Sequence, residues 1–438
     1  MINLKYRPPE EMKDSGVEWV GSIPQGWGLI PNKYIAEINT GSRDTQDSVD
    51  DGKYPFYVRS KKVERIDSYS FDGEAILTPG DGDIGGIFHY VNGRFDFHQR
   101  VYKYSDFKNY HGKFLYYYLK VLLKRKVMGL SAKSTVDSLR MPMLLNFECV
   151  SNEVQEQHKI ADFLDEKTGY FDSIISKKEK LIEKLEEAKK SLISEVVTGK
   201  VKIVDGQMVE RSPEEMKDSG VEWLGYIPRN WTFRKTSHDY EIRLGKMLQT
   251  TKKRSTDTLE EYLCTINVDW AGLKLDEVKQ MWFSVKDKQQ YLVKNGDLIV
   301  NEGGDAGKAV MVDGLSGDMY IQNAVHRVRP KGASKAKALY YWLFFLKSIE
   351  YIELICNKAT IMHFTVEKFR NLPFLGQDYF EQKRMIDLLD ARVPKINSII
   401  NKQRKIIEKI KQAKQSLIYE AVTGKIDLRD WEIKQEGE

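Results

Sequence analysis

Cysteine is scarce in this 438-residue chain: Cys149, Cys264 and Cys356 stand far apart, with no C-x-x-C. That spacing excludes a disulfide framework and a thiolate zinc site, and predicts a reduced, cytoplasmic protein. The seven histidines make no H-E-x-x-H or similar ligand pattern. No apolar run reaches 18 residues, so no membrane-spanning helix is expected. The start, M-I-N-L-K-Y-R-P-P-E, lacks the apolar core of a signal peptide. No serine elbow occurs. Gly303 to Lys308 approaches a phosphate-binding loop, but Glu302 replaces the first glycine and Ala309 the hydroxyl residue, leaving a glycine turn between strands. Asn371-Leu372-Pro373-Phe374 is similar to the N-P-P-[YF] loop of amino-methyltransferases, but Leu372 replaces a proline and no glycine-rich turn for S-adenosylmethionine accompanies it. Asp378, Glu381 and Lys383 imitate a nuclease triad, yet they open a repeated helix whose other copy has Glu156 and His158, so capping is the expected role. The sequence presents no catalytic apparatus, metal ligands or cofactor site.

What it does present is duplication. Pro9 to Trp19, P-E-E-M-K-D-S-G-V-E-W, returns unchanged as Pro213 to Trp223, and the match runs on loosely to Trp27 and Trp231. Glu156 to Lys200 resembles Glu381 to Lys425, from E-Q at the start to V-T-G-K at the end. Two copies of one unit follow. The segments after Lys200 and Lys425 are alike, as are those leading into each P-E-E-M-K-D-S-G, so the chain is nearly a circle with pseudo-twofold symmetry and neighbouring termini.

With 41% apolar residues, two large folded domains are the natural reading. A net charge of +5 does not by itself identify a nucleic-acid binder. Local clusters say more: Lys61-Lys62, Lys124-Arg125-Lys126 and Lys252-Lys253-Arg254 are either solvated surface or phosphate contacts.

The repeated segments read as helices. Phe171, Ile174, Lys178, Leu181, Leu185, Ala188 and Leu192 form a heptad seam, matched by Ile396, Ile399, Gln403, Ile406, Ile410, Ala413 and Leu417. Lys178 and Gln403 either fix register or mark a wet helix edge. Gly169 and Pro394 are expected to separate a short helix (153–165, 381–392) from a long one of about 28 residues, about 42 Å. Gly199 and Gly424 are expected to stop the long helices. The two helices pair with each other, antiparallel, unless they join a bundle or a partner's coiled coil.

The variable parts, 28–155 and 232–380, read as α+β. Strands are expected at Pro55 to Arg59, Ala75 to Thr78, Tyr262 to Val268 and Asp297 to Asn301. Glycine turns follow (G-D-G-D-I-G-G at Gly80, G-G-D-A-G-K at Gly303), then H-Q-R-V at His98 or Q-N-A-V at Gln322, then aromatic helices beginning near Leu115 and Leu339.

In K-D-S-G-V-E-W-x-G-x-I-P at Lys13 and Lys217, G-D-x-G at Gly82 and Gly304, and the E-Q…L-D…S-I-I…V-T-G-K helices, nearly the whole chain resembles the specificity subunit of type I restriction–modification enzymes. The resemblance implies two target-recognition domains (1–152 and 201–376) and two conserved helical regions (153–200 and 377–438). It implies an antiparallel coiled coil between domains that each read half of a split site in double-stranded DNA. It implies partners: two DNA adenine methyltransferase subunits using S-adenosylmethionine, and two ATP- and Mg-dependent restriction translocases. It implies no cofactor bound by this chain itself. By family position the DNA-contacting candidates are Ser42, Arg43, Arg59, Lys61, Lys62, Gly82, Asp83, Gln99, Arg100 and Ser134 in the first domain. In the second they are Lys246, Asn267, Gly304, Asp305, Lys308, Gln322, Asn323, Thr360 and His363. Arginine favours guanine, and asparagine or glutamine favours adenine. The copies differ at Arg59/Thr265 and Arg100/Ala324, which predicts unlike half-sites. Two other classes stay open: a coiled-coil adaptor that never touches DNA, and a self-sufficient methyltransferase or nuclease.

Overall fold

The computed structural model describes residues 4–131, 138–356 and 363–432. It divides into two compact units, Met1–Glu179 with Arg404–Glu438, and Lys180–Gln403. Two helices of 44 residues each, Val154–Val197 and Tyr379–Val422, contribute to both units. At 1.5 Å per residue each is about 66 Å long. The expected breaks at Gly169 and Pro394 do not occur; the short and long helices are one. Ile160, Ala161, Phe163, Leu164 and Ile175 are buried on either side of Gly169, and Leu388, Leu389, Val393 and Ile400 on either side of Pro394. An interior proline costs about 3 kcal/mol. Each fully buried apolar side chain contributes about 1.5–3 kcal/mol, so four of them outweigh the proline.

The seam also needs one correction. Phe171, Lys178, Leu185 and Leu192 face it, but its alternate positions are Ile175, Ile182 and Lys189, not Ile174, Leu181 and Ala188. In the other helix Ile400, Ile407 and Lys414 replace Ile399, Ile406 and Ala413. The sequence has doublets at these places, so two phases of the 3.5 period are nearly equally apolar, and packing selects one. The chosen phase puts a lysine in each seam. In the first unit Lys414 Nζ lies 2.6 Å from the Asp172 carboxylate. In the second, Lys189 Nζ donates to Asn397 Oδ1 at 3.2 Å. Lys189 and Lys414 are equivalent in the repeat, as are Asp172 and Asn397, so each unit makes the same antiparallel contact.

The circle suggested by the repeats is closed within the first unit. Arg7 N donates to Lys425 O (2.9 Å) and Asp427 N to Lys5 O (2.8 Å). The second unit has the continuous version: strands Val201–Val204 and Gln207–Glu210 form a hairpin, and Arg211 N donates to Lys200 O at 3.1 Å. Gly199 and Gly424 end the helices at φ +73° and +70°. A Cβ there would meet Pro228 or Pro24 at 2.4 or 2.5 Å, which couples each helix stop to the repeated I-P segment.

The first unit's sheet runs Glu37–Thr40, Val101–Ser105, Phe71–Pro79, His89–Phe97, Tyr54–Tyr57, Glu64–Ile66, with Tyr54–Tyr57 parallel to His89–Phe97. The second unit divides the equivalent strands between two sheets. Tyr240–Leu244, Val325–Pro330, Leu298–Asn301 and Ala309–Met311 form one; Lys279–Phe283, Thr258–Leu263, Met319–Ile321 and Leu292–Val293 form the other, again with a parallel pair. The strand expected at Tyr262 to Val268 stops at Leu263, and Thr265–Asn267 turns as a 3-10 helix. The aromatic helices, Gly112–Ser131 and Ala336–Ser348, fill each unit's core: Tyr118 and Trp342 are 0% and 1% exposed.

Candidate nucleic-acid interface

Three separate loops of each unit meet at one place, held by the same backbone contacts. The first is the loop after strand Glu37–Thr40 or Tyr240–Leu244. It bridges, in parallel, to the turn after the sheet's later strand: Arg43 to His98, and Lys246 to Gln322. Glycine makes this approach possible. A Cβ on Gly41 would lie 1.9 Å from Phe97 O, and one on Gly245 would lie 2.3 Å from Gln322 O. The second loop is the glycine turn, fixed by Gly80 N to Arg100 O (2.8 Å) and by Glu302 N to Ala324 O (2.9 Å). The third segment docks on that turn through Leu139 N to Gly80 O (2.7 Å) and Phe364 N to Glu302 O (2.6 Å). A side chain from the adjoining strand grips the docked carbonyl: Tyr102 Oη donates to Leu139 O at 3.0 Å, and His326 Nε2 lies 2.7 Å from Phe364 O.

On this common backbone the side chains differ. In the first unit Asp81 sits between two guanidiniums, 3.0 Å from Arg100 and 3.3 Å from Arg59. Burial would raise the Asp81 pKa; the hydrogen bond from Arg100 and the charge of Arg59 outweigh it and hold the carboxyl below its usual range. Both arginines keep an open face, 44% exposed at Arg59 and 61% at Arg100, so the carboxylate orients them without covering them. Arg43 donates to the buried Asp96 (3.4 Å) and to Ser68 (3.1 Å), and Gln99 Nε2 donates to Asp44 at 2.7 Å. Ser42, Lys61, Lys62, Gly82 and Asp83 are exposed beside them.

The second unit is built otherwise. Lys246 is 11% exposed; its ammonium donates to Gln249 (2.8 Å) and Asp287 (2.7 Å). Next to it Met247 is 76% exposed. Asn267 is buried: its oxygen accepts from Cys264 N, and its nitrogen donates to Lys274 O and Glu277 O, so its polar atoms close a loop. Lys308 pairs with Asp269 (3.3 Å) and Asp305 (3.7 Å), tying that loop to the turn that carries Gly304. Gln322 and Asn323 hydrogen-bond each other, and the half-exposed His363 lies 2.9 Å from Glu302. Ser134 and Thr360 lie outside the described residues. Asp44, Asp81 and Met247 carry no sequence signal of their own: Asp81 lies inside the glycine motif, and its partners Arg59 and Arg100 stand 22 and 19 residues away.

His326 gives the second cluster a pH limit. Burial holds its pKa down to about 4 from 6.5, only partly opposed by the Phe364 carbonyl. The unfolded chain therefore takes up the proton first, so this contribution is complete above pH 6.5 and is lost as pH falls to about 4. The difference is worth about 3 kcal/mol at 1.36 kcal/mol per pH unit. The protection factor of strand Val325–Pro330, taken relative to the intrinsic exchange rate at each pH, should fall between pH 7 and 5, and His326→Gln should flatten that dependence. An unchanged pH slope in the variant would assign the acid sensitivity to another group.

Frame and loops together define a duplicated α+β scaffold that presents two unlike polar loop clusters. Residues 24–187 and 238–412 match the type I restriction modification DNA specificity domain, and the chain belongs to that family. Over 220 residues it is 24% identical to the specificity subunit of the type I restriction enzyme EcoDI of Escherichia coli, covering 49% of this chain and 48% of that one. It thus spans about half the length of that curated relative. A solved structure described under complex assembly and conformational transition of the type I R-M system aligns with TM-score 0.58 and 13% identity, over 92% of this chain and 99% of that one. The S subunit of the type I restriction-modification system of M. genitalium aligns with TM-score 0.42 and 13% identity, over 90% and 96%. Among the described residues, no helix is long and apolar enough to cross a membrane.

Proposed function

We propose that this chain is a cytoplasmic, non-catalytic DNA reader and assembly scaffold. Each loop cluster reads one half of an asymmetric, interrupted site in double-stranded DNA. The long helices set the unread gap and dock two adenine methyltransferase subunits, which bring S-adenosylmethionine. Two restriction translocases bring ATP and Mg. The observation that carries this reading is the repetition of one loop backbone with different side chains. Two clusters with different donors and acceptors suit two different half-sites. In the first, Arg59 and Arg100 offer exposed guanidiniums, which suit guanine. In the second, Ala324 stands where Arg100 does, and the amides Gln322 and Asn323, bonded to each other and to Ala324 N in the free chain, suit adenine once that pair opens. Phosphate contacts from nearby lysines position each unit without reading sequence.

Methylome sequencing of the host with and without this gene tests the proposal. One interrupted, asymmetric adenine motif should lose methylation when the gene is removed. Exchanging 28–155 for another member's segment should change one half of that motif only. Methylation or cleavage by the purified chain alone would establish an enzyme instead. No footprint in the presence of a partner methyltransferase would establish an adaptor.

A further inference from the structure

The cluster Lys124-Arg125-Lys126 has no part in the loops described above, and the first unit gives two of its members a distinct setting. Lys120, Lys124 and Arg125, on helix Gly112–Ser131, line a cavity of about 380 Å³ with Gln412, Gln415 and Ser416 of the last long helix. Its polar lining has three cations, three neutral groups and no carboxylate. Lys124 and Arg125 are exposed, and the Arg125 guanidinium lies over the Tyr419 ring, 3.8 Å from its centre. That stacking holds the fork in place with its hydrogen-bonding edge unspent. Lys126 belongs elsewhere, over the Trp19 and Phe147 rings. The acidic residues of the long helix nearby have their own partners: Glu408 pairs with Lys411 at 3.5 Å, and Glu420 accepts from Tyr6 and Ser416.

The groove adjoins the candidate DNA-facing loops. The glycine turn sits directly on it: a Cβ at Gly85 would lie 3.0 Å from Lys124 Cα. Among the described residues, the matching helix of the second unit does not repeat these cations. That unit's turn sits on Ile352, where a Cβ at Gly307 would meet Cδ1 at 2.5 Å. Counting from Leu115 and Leu339, Phe344, Ser348 and Ile349 stand where Lys120, Lys124 and Arg125 do. Lys347, at the end of that helix, is consumed by Asp305 (2.9 Å) and Glu353, and Lys308 in the turn itself by Asp269 and Asp305.

We infer that the groove between helix Gly112–Ser131 and the last long helix is a phosphate-binding track. It would carry the DNA backbone from the first half-site onto the unread gap, on one side of the bipartite site only. This rests on the DNA-reading function proposed above. The ligand is a polyanion, because a cavity with three cations and no carboxylate would leave a neutral or cationic partner with unmatched charge. DNA is favoured over an acidic protein segment because the track continues the turn that carries Gly82 and Asp83.

The test uses the full chain with its methyltransferase subunits and a duplex carrying the methylated motif. Each phosphate contact contributes about 0.9 to the slope of log affinity against log salt. Changing Lys120, Lys124 and Arg125 together to glutamine should lower the slope by about two to three and weaken binding at least about tenfold at 150 mM salt. The methylated motif should stay the same. Lys124→Arg with Arg125→Lys should keep the wild-type slope, which separates charge from folding. A triple variant with wild-type slope and affinity would overturn the track while leaving DNA reading intact. Loss of methyltransferase binding with the DNA slope unchanged would make the groove a protein dock and overturn it equally. Wild-type complex that ignores the motif would remove the underlying reading as well.

Discussion

Deleting Lys178–Lys184 together with Lys402–Glu408 should shorten the gap in the methylated motif by about three base pairs and abolish modification of the original site. Lys414–Asp172 in one unit and Lys189–Asn397 in the other are the same antiparallel contact, and the two segments are matched under the register it sets in each unit. Seven residues are one heptad, so the seam on both sides of the cut stays in phase and the pairing survives. The axial loss is about 10 Å, or near three base pairs at 3.4 Å each. Removing seven residues from one helix alone would mismatch the register and is expected to cost assembly rather than shift the gap. Methylome sequencing of the doubly shortened chain reads the outcome. If modification persists with an unchanged gap, the helices are not the ruler. A shifted motif with both half-sites intact would separate spacing from reading.

The duplication and its closure were legible in the sequence because both rest on identity between distant segments. The K-D-S-G repeat is kept by local chemistry: Asp14 and Asp218 each accept from the glycine two residues on, at 3.0 and 2.9 Å. Helix continuity was not legible, since Gly169 and Pro394 are local signals and the buried residues that override them are tertiary. Seam phase was hidden by the doublets Ile174-Ile175, Leu181-Ile182, Ile399-Ile400 and Ile406-Ile407, which serve either phase. At Ala188-Lys189 and Ala413-Lys414 the apolar residue was the natural choice, yet lysine is in the seam. Its stem packs while its ammonium finds a partner on the other helix. At the candidate interface, sequence order brought out the loops but not their state. Arg59 and Arg100 are open, whereas Lys246 and Asn267 spend their polar atoms within the second unit. A pairing such as Lys246 with Asp287, 41 residues away, leaves no periodic trace.

The largest stability effect should come from a carboxylate in the repeated frame. Glu156 accepts from Arg7 at 2.6 Å and from the Trp27 indole at 3.0 Å. Glu381 accepts from Arg211 at 3.0 Å and from Trp231 at 2.7 Å. The arginines are 5% and 11% exposed, so removing either carboxylate leaves a buried guanidinium short of its counter-charge. Such a loss costs about 3–5 kcal/mol. The two units should differ within that range. Arg7 keeps Glu11 at 3.7 Å and Asp427 at 3.9 Å, whereas among the carboxylates of the described residues Arg211 keeps only Glu215, at 4.0 Å. Glu156→Ala should therefore cost about 3 kcal/mol in the first unit and Glu381→Ala about 5 in the second. Removing both partners should recover most of the loss, because an apolar pair restores packing without a stranded charge. The indole N–H then lacks a partner, at about 1–3 kcal/mol. Urea unfolding read by hydrogen exchange in each unit measures the single and double variants, Glu381→Met with Arg211→Met among them. Single losses under about 1 kcal/mol would show the pairs to be solvent-compensated, and the repeated E-Q would then need another explanation.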